Sequence, residues 1–152
     1  MPAPPDRVLI VCMGNICRSP TAEAVLRAGL LKSNLSISVD SAGTEDYHVG
    51  SMPDARSIRH AEMRGYDLCG IRARQVQDSD FHDFDLILAA DSANLAILKQ
   101  RCPAELHYKL SLFLGDKPLP DPYYGQGDGF ERVLDLVETR VEELISLWSA
   151  KD

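Results

Sequence analysis

The sequence has no apolar run of 18 or more residues, so no segment is expected to cross a membrane as a helix. Its opening MPAPPD lacks the basic and apolar regions of a secretory signal. Residues 1–6 are therefore expected to form a loose, flexible tail ahead of one domain over 7–152. Histidine is scarce, and His48, His60, His82 and His107 show neither metal-ligand spacing nor a triad pattern. Surface or satisfied imidazoles are the expectation for all four. Cysteine is limited to Cys12, Cys17, Cys69 and Cys102, and without an export signal these are expected as thiols in a cytoplasmic compartment. Positive charge is short as well. Lys and Arg total 16 against 23 Asp and Glu, a net charge of -7, which argues against general nucleic-acid binding. A single small anion pocket remains compatible with that balance, because a local field can oppose the global one. No internal repeat, interdomain linker or low-complexity segment divides the chain.

What is present reads as strands alternating with helices. Val8–Val11 is a continuous apolar run that suits a strand buried on both faces. After a short turn, Ala22, Val25, Leu26, Gly29 and Leu30 make one helical stripe, with Ser19 expected as N-cap and Pro20 at the first helical position. Glu23 is expected near the positive end of that helix. Ser36–Ser41 alternates like a strand, and a helix is expected after Ser51, burying Ala55 and Ile58 and ending near Gly65. Phe84–Ala90 reads as a second buried strand, followed by a helix capped by Ser92 with Leu95 and Leu98 inward. Leu106–Leu112 favours a strand, and GDKPLPDPYYGQGDG is loop. Asp128 is expected to cap a last helix carrying Phe130, Val133, Leu134, Val137, Val141, Leu144, Ile145 and Trp148 on one face. The pattern predicts one doubly wound α/β domain, a parallel four-stranded sheet with helices on both faces. In such sheets ligands bind beyond the carboxyl ends of the strands, where Cys12 and Asp91 fall.

The turn CMGNICRS joins the first strand to the first helix. A helix N-terminus carries N–H groups without intrahelical partners. Gly14 and Asn15 take left-handed φ readily, so Met13, Gly14, Asn15, Ile16 and Cys17 can curl as an anion nest. Arg18 adds charge and a planar fork that can hold two phosphate oxygens. The same field favours a thiolate at Cys12, to which the Ser19 hydroxyl can donate. A thiolate beneath a cradled phosphate is a nucleophile aimed at phosphorus. This is not the nucleotide-binding G-x-x-x-x-G-K-[ST] loop, since it has no Lys, and nothing nearby completes a zinc shell. A buried cysteine with an arginine six residues on is weak evidence alone; the Gly, Asn, Ser and Pro at this boundary strengthen it. Cys17 has two readings, a core position or a thiol near enough to trap an oxidised Cys12.

A thiolate that cleaves a phosphate ester needs an acid to protonate the leaving oxygen. Asp121 in PLPDPYYG, held between Pro120 and Pro122, is the candidate, although Asp-Pro is also an ordinary turn former. Tyr123 and Tyr124 beside it, with Tyr47 opposite, can wall a slot for a flat substrate; a protein-binding patch is the other reading.

VCMGNICRSPTAEAV together with DPYYG resembles the low-molecular-weight protein tyrosine phosphatases, and the resemblance continues through SAGT with Tyr47 and His48, ARQV, FDLILAAD and the last helix. It implies that Cys12 is the nucleophile, that Arg18 binds phosphate, and that Asp121 acts as acid and then as base against a phosphocysteine. Asn15 and Ser19 would shape the loop, Cys17 would be a reversible redox partner, and Tyr47, Tyr123 and Tyr124 would line the aryl slot. The implied partners are phosphotyrosine proteins and a cognate tyrosine kinase, with no metal, cofactor, nucleic acid or membrane. One departure is Ile71, where many members carry a His that supports the loop Asn; support for Asn15 must come from elsewhere. Arsenate reductases of similar architecture need paired cysteines that Cys69 and Cys102 do not supply, and arginine phosphatases resemble the same loop but carry a Thr at the position of Ile16 and DPF where this chain has DPYY. A non-catalytic phosphotyrosine-binding module is the competing class, and it would need neither Cys12 nor Asp121.

Overall fold

Val and Ile in the first strand make both faces of its pleat apolar, so it can be covered only from two sides. In the computed structural model, which describes residues 3–123 and 127–149, that strand is β1 (Arg7–Cys12). It lies inside a four-stranded sheet of order β2-β1-β3-β4, with β2 at Ser38–Gly43, β3 at Leu86–Ala89 and β4 at Leu110–Leu112. All three pairings are parallel. Between the strands run α1 (Arg18–Lys32), α2 (Ala55–Glu62), the short α3 (Asp80–Asp83) and α4 (Ser92–Arg101); α5 (Gly127–Ser149) closes the chain.

The two faces of β1 sort the helices. Val8, Ile10 and Cys12 join Val25, Leu26 and Leu30 of α1 and Val133, Val137 and Val141 of α5 in one apolar cluster. Leu9 and Val11 point the other way, toward Phe81, Phe84 and Leu98 near α3 and α4. This alternation is the period of a strand, and burial of each large apolar side chain contributes about 1.5–3 kcal/mol. Helices α1 and α5 pack closely because Gly29 has no side chain: a Cβ there would stand 2.5 Å from Ile145 Cδ1. The sheet, the flanking helices and the inward face of α5 are as the periodicity predicts.

The boundaries differ in instructive ways. Helix α1 begins at Arg18, two residues before the expected start, with Cys17 as N-cap and without a side-chain cap bond. Ser19 is not the cap because its hydroxyl faces Cys12. Pro20 is then the third helical residue, where the N–H is still one that has no intrahelical acceptor. Glu23 lies beyond the first turn and is buried. Helix α2 starts only at Ala55, capped by Asp54, whose carboxylate accepts from Arg56 N; Ala55 is exposed and Ser57 and Ala61 are the buried positions. Asp91, not Ser92, caps α4 by accepting from Asn94 N at 2.8 Å. Of the stretch expected as a strand near Leu106, the part up to Lys109 is a 3-10 helix (Ala104–Lys109). Asp128 sits inside the first turn of α5.

Strand order reverses direction of growth at β1, whose neighbours are β2 and β3. A crevice opens beyond the carboxyl ends at such a point. Cys12 ends β1 there, and Asp91 follows β3.

Candidate active site

The loop after β1 is fixed by its carbonyls. Cys12 O accepts from Thr44 N at 2.9 Å, Met13 O from Glu45 N at 3.0 Å and Ile16 O from Asp54 N at 2.8 Å. In a planar trans peptide the N–H points opposite to the C=O. Anchoring those carbonyls outward therefore turns the N–H groups of Met13, Gly14 and Cys17 toward the concave side of the loop. Asn15 occupies the left-handed region at φ 58°, the residue type that tolerates it best after glycine. Gly14, expected to share that conformation, is not among the positive-φ residues. It is small for another reason: a Cβ there would stand 2.9 Å from His48 Cδ2. Gly43 is needed similarly, since a Cβ would lie 2.7 Å from Met13 O.

The Cys12 sulfur, buried at the end of β1, has two donors in reach. Ser19 Oγ stands 3.0 Å from Sγ, and Asn15 N donates to Sγ at 3.3 Å. Asn15 is itself held on every side. Its Nδ2 donates to Ser19 Oγ at 2.8 Å and to Ser41 Oγ at 3.0 Å, and its Oδ1 accepts from Arg74 N at 3.0 Å. This answers the question raised by Ile71, which is buried in the apolar cluster under α1 and α5. Ser41 and the Arg74 amide carry the support. The ARQV segment reaches the loop because it runs beside the end of β2, with Val76 N bonded to Gly43 O and Gly43 N bonded to Arg74 O. Behind Ser41, the Ser41 hydroxyl donates to Glu23, which also accepts from Arg27. Burial holds the Glu23 carboxyl above its usual range despite those donors.

Arg18 is 4% exposed and points into the crevice. Its Nη1 donates to Asp91 Oδ2 at 2.7 Å and to Leu119 O at 3.1 Å, while Nη2 lies 3.6 Å from Asp121 Oδ2. Burial would lower the guanidinium's pKa, but Asp91, Cys12 and Asp121 together keep it above its ordinary value. It is a fixed positive charge. Cys17 faces the opposite balance: burial pushes its thiol up to about 12, so it is protonated at neutral pH.

Asp121 arrives from the loop before α5. Its Oδ1 accepts from Tyr123 N at 3.0 Å, a local turn that orients the carboxylate between Pro120 and Pro122. A cavity of about 280 Å³ gathers Cys12, Gly14, Arg18, Tyr47, Asp121 and Tyr123 along its walls. Met13, Ile16, Cys17 and His48 complete the lining. Tyr47 is mostly exposed at the rim, and Tyr123 is half-buried with its ring centroid 6.5 Å from that of His48. Tyr124 lies outside the described residues. Thus the structure brings every other expected site residue to this cavity, or, for Asn15 and Ser19, to the wall behind it.

Two participants were missed from sequence. His48, read as a surface or satisfied histidine, is a wall of the cavity. Asp91 was noted only for its place at a strand end, yet it anchors Arg18. An acidic residue following a buried strand, at the same sheet edge as an arginine, was the available signal. A larger groove, about 870 Å³, lies between α1 and α5, shares no lining residue with the Cys12 cavity and has neither a cysteine nor an arginine on its walls. Chemistry therefore singles out the smaller space. Among the described residues, no three His, Cys, Asp or Glu side chains gather as a metal-binding group, and no helix is long and apolar enough to cross a membrane.

The family described as low molecular weight phosphotyrosine protein phosphatase matches residues 7–151. A low molecular weight protein-tyrosine-phosphatase of Streptomyces coelicolor is 40% identical over 151 residues, covering 92% of each chain. The human low molecular weight phosphotyrosine protein phosphatase is 40% identical over 136 residues, covering 83% of this chain and 85% of its own. A crystal structure of a protein tyrosine phosphatase from Entamoeba histolytica superposes with a TM-score of 0.88 at 40% identity, over 92% of this chain and 94% of the other. A cysteine and an arginine at one strand-to-helix turn thus belong to a phosphoric monoester hydrolase, and the chain is a member of the low-molecular-weight protein tyrosine phosphatase family.

Proposed function

We propose that the chain hydrolyses phosphotyrosine in proteins through a phosphocysteine on Cys12. The observation that carries this reading is the convergence of Cys12, Arg18 and Asp121 on one cavity, with the sulfur facing Ser19 and Asn15 N. The phosphate is held by the loop N–H groups and the free edge of Arg18, and the aryl ring lies among Tyr47, His48 and Tyr123. The Cys12 thiolate attacks phosphorus, an S–P bond forms, and the P–O bond to the aryl group breaks. The departing oxygen takes the proton of Asp121. The Asp121 carboxylate then removes a proton from water, whose oxygen bonds to phosphorus as the S–P bond breaks, releasing phosphate and the thiolate.

Charge building on the phosphoryl oxygens meets fixed donors that need no reorganisation, which is where electrostatic catalysis is strongest. Asp91 keeps the guanidinium from collapsing onto the nucleophile when the cavity is empty of substrate. No step calls for a metal ion. Four thiols suit a reducing, cytoplasmic setting, and a tyrosine kinase must supply the substrate. Oxidation of Cys12 by a peroxide to a sulfenic acid would be closed by Cys17, forming the S–S bond and releasing water, until a thiol reduces it.

The direct test is turnover of a phosphotyrosine peptide in the presence of EDTA after reduction with fresh thiol. Phosphate release that survives the chelator is expected. A protein that binds the peptide without releasing phosphate would instead be the non-catalytic module.

A further inference from the structure

The acid loop is not held by its prolines alone. Arg56, in the first turn of α2, donates from Nη2 to Tyr123 O at 2.9 Å. Its guanidinium carbon lies 5.5 Å from the Tyr123 ring centroid and 4.8 Å from that of Phe130 on α5. The Nε–Nη2 edge forks onto Asp54, Nε to Oδ1 at 3.1 Å and Nη2 to Oδ2 at 3.0 Å, so Nη2 donates to both Asp54 and Tyr123. Asp54 N in turn donates to Ile16 O of the phosphate-binding loop. One planar cation thus joins three elements: the acid loop, the start of α5 and, through Asp54, the loop around Cys12.

The contact on Tyr123 is aimed at the reaction. The Tyr123 backbone is gripped at both ends, its N–H by the Asp121 carboxylate and its C=O by Arg56. The two groups lie in the peptide planes on either side of the Tyr123 Cα, so freeing the carbonyl loosens the Tyr123 φ and ψ and, through its N–H, the hold on the Asp121 carboxylate. We propose that Arg56 is a positioning residue for the general acid, fixing the Asp121 carboxyl over the cavity while leaving the phosphate-binding loop's own geometry untouched. The proposal rests on the reading of Asp121 as the acid. Arg suits the task because only a planar fork can chelate Asp54, reach a carbonyl and lie between two rings at once.

A misplaced acid has a signature that a destabilised fold lacks. An aryl phosphate whose phenol is strongly acidic needs little protonation to leave, whereas phenyl phosphate needs much. Arg56→Gln is expected to lower kcat/KM for phenyl phosphate by about tenfold to hundredfold, as misplacement of a reacting group does. For an activated nitrophenyl ester the loss is expected to stay within about threefold, with inhibition by inorganic phosphate unchanged within about twofold. Arg56→Lys keeps the charge but not the fork and is expected not to restore phenyl phosphate turnover. Asp54→Asn, which retains a helix cap, gives a smaller loss of the same selectivity and serves if Arg56→Gln does not fold. Equal losses on both esters, weakened phosphate inhibition, or no loss on phenyl phosphate would overturn the proposal. Asp121→Asn assayed alongside separates the two levels. A leaving-group-selective loss there but not in Arg56→Gln refutes the role of Arg56 alone, whereas its absence in Asp121→Asn refutes the acid and the proposal with it.

Discussion

Cys12→Ser is expected to abolish turnover, lowering kcat on a phosphotyrosine peptide by about 10⁴ or more, the scale seen when an enzyme loses its nucleophile. The substitution changes one atom, and the smaller, far less acidic hydroxyl is not ionised at neutral pH. What it leaves behind matters as much. The carbonyls of Cys12, Met13 and Ile16 stay anchored to Thr44, Glu45 and Asp54, and Arg18 stays on Asp91. Inorganic phosphate should therefore still bind within about threefold of the parent, since the donors that recognise it are untouched. Loss of turnover with retained phosphate binding assigns the chemistry to the sulfur. Retained turnover would move the nucleophile elsewhere in the cavity.

The second large effect is at Asp121. Replacing it by Asn keeps an acceptor for Tyr123 N but removes the proton that the proposed mechanism delivers to the leaving oxygen. Loss of a general acid costs about 10²–10⁴ in rate, so kcat/KM for phenyl phosphate or a phosphotyrosine peptide should fall within that range. Steady-state kinetics on esters of graded phenol acidity should show the deficit shrinking as the leaving group improves. Arg18 gives an independent check on interpretation. It lies 3.6 Å from the Asp121 carboxylate, so removing that charge also removes a competitor for the guanidinium. Phosphate binding should then stay level or tighten slightly. Weaker phosphate binding in Asp121→Asn would mean that the Asp121 carboxylate also holds the phosphate-binding loop in shape.

How much of this was legible beforehand follows from distance along the chain. Cys12, the proposed nucleophile, the loop 13–17, Arg18 and Ser19 occupy eight consecutive positions, and a strand end feeding a helix start is written in local hydrophobic pattern. Asp121 was legible because prolines and tyrosines in one short loop have no core function to explain them. What was not legible depends on groups that only the sheet brings together. Asp91 meets Arg18 across 73 positions, Arg74 meets Asn15 across 59, and Arg56 meets Tyr123 across 67. The Ser41 support for Asn15 arises because β2 pairs with β1, placing Ser41 opposite Ile10 in register.

The misplaced boundaries have the same cause. Ser19 has the composition of a cap, yet a buried sulfur competes for its hydroxyl and the helix starts earlier. Ser92 also has the composition of a cap, yet the cap is Asp91, which uses one oxygen for Asn94 N and the other for Arg18. In each case a side chain expected to serve its own helix serves the site instead, or both. Local rules give way where function is concentrated.

The proposed mechanism turns on a covalent phosphoenzyme at Cys12. Rapid mixing of the protein with a phosphotyrosine peptide, acid quench within the first turnovers, and mass spectrometry of the proteolysed chain tests it directly. Phosphate is expected on the peptide containing Cys12, present at early times and absent once substrate is exhausted. Steady release of phosphate with Cys12 never modified, or phosphate on any other residue, would contradict it.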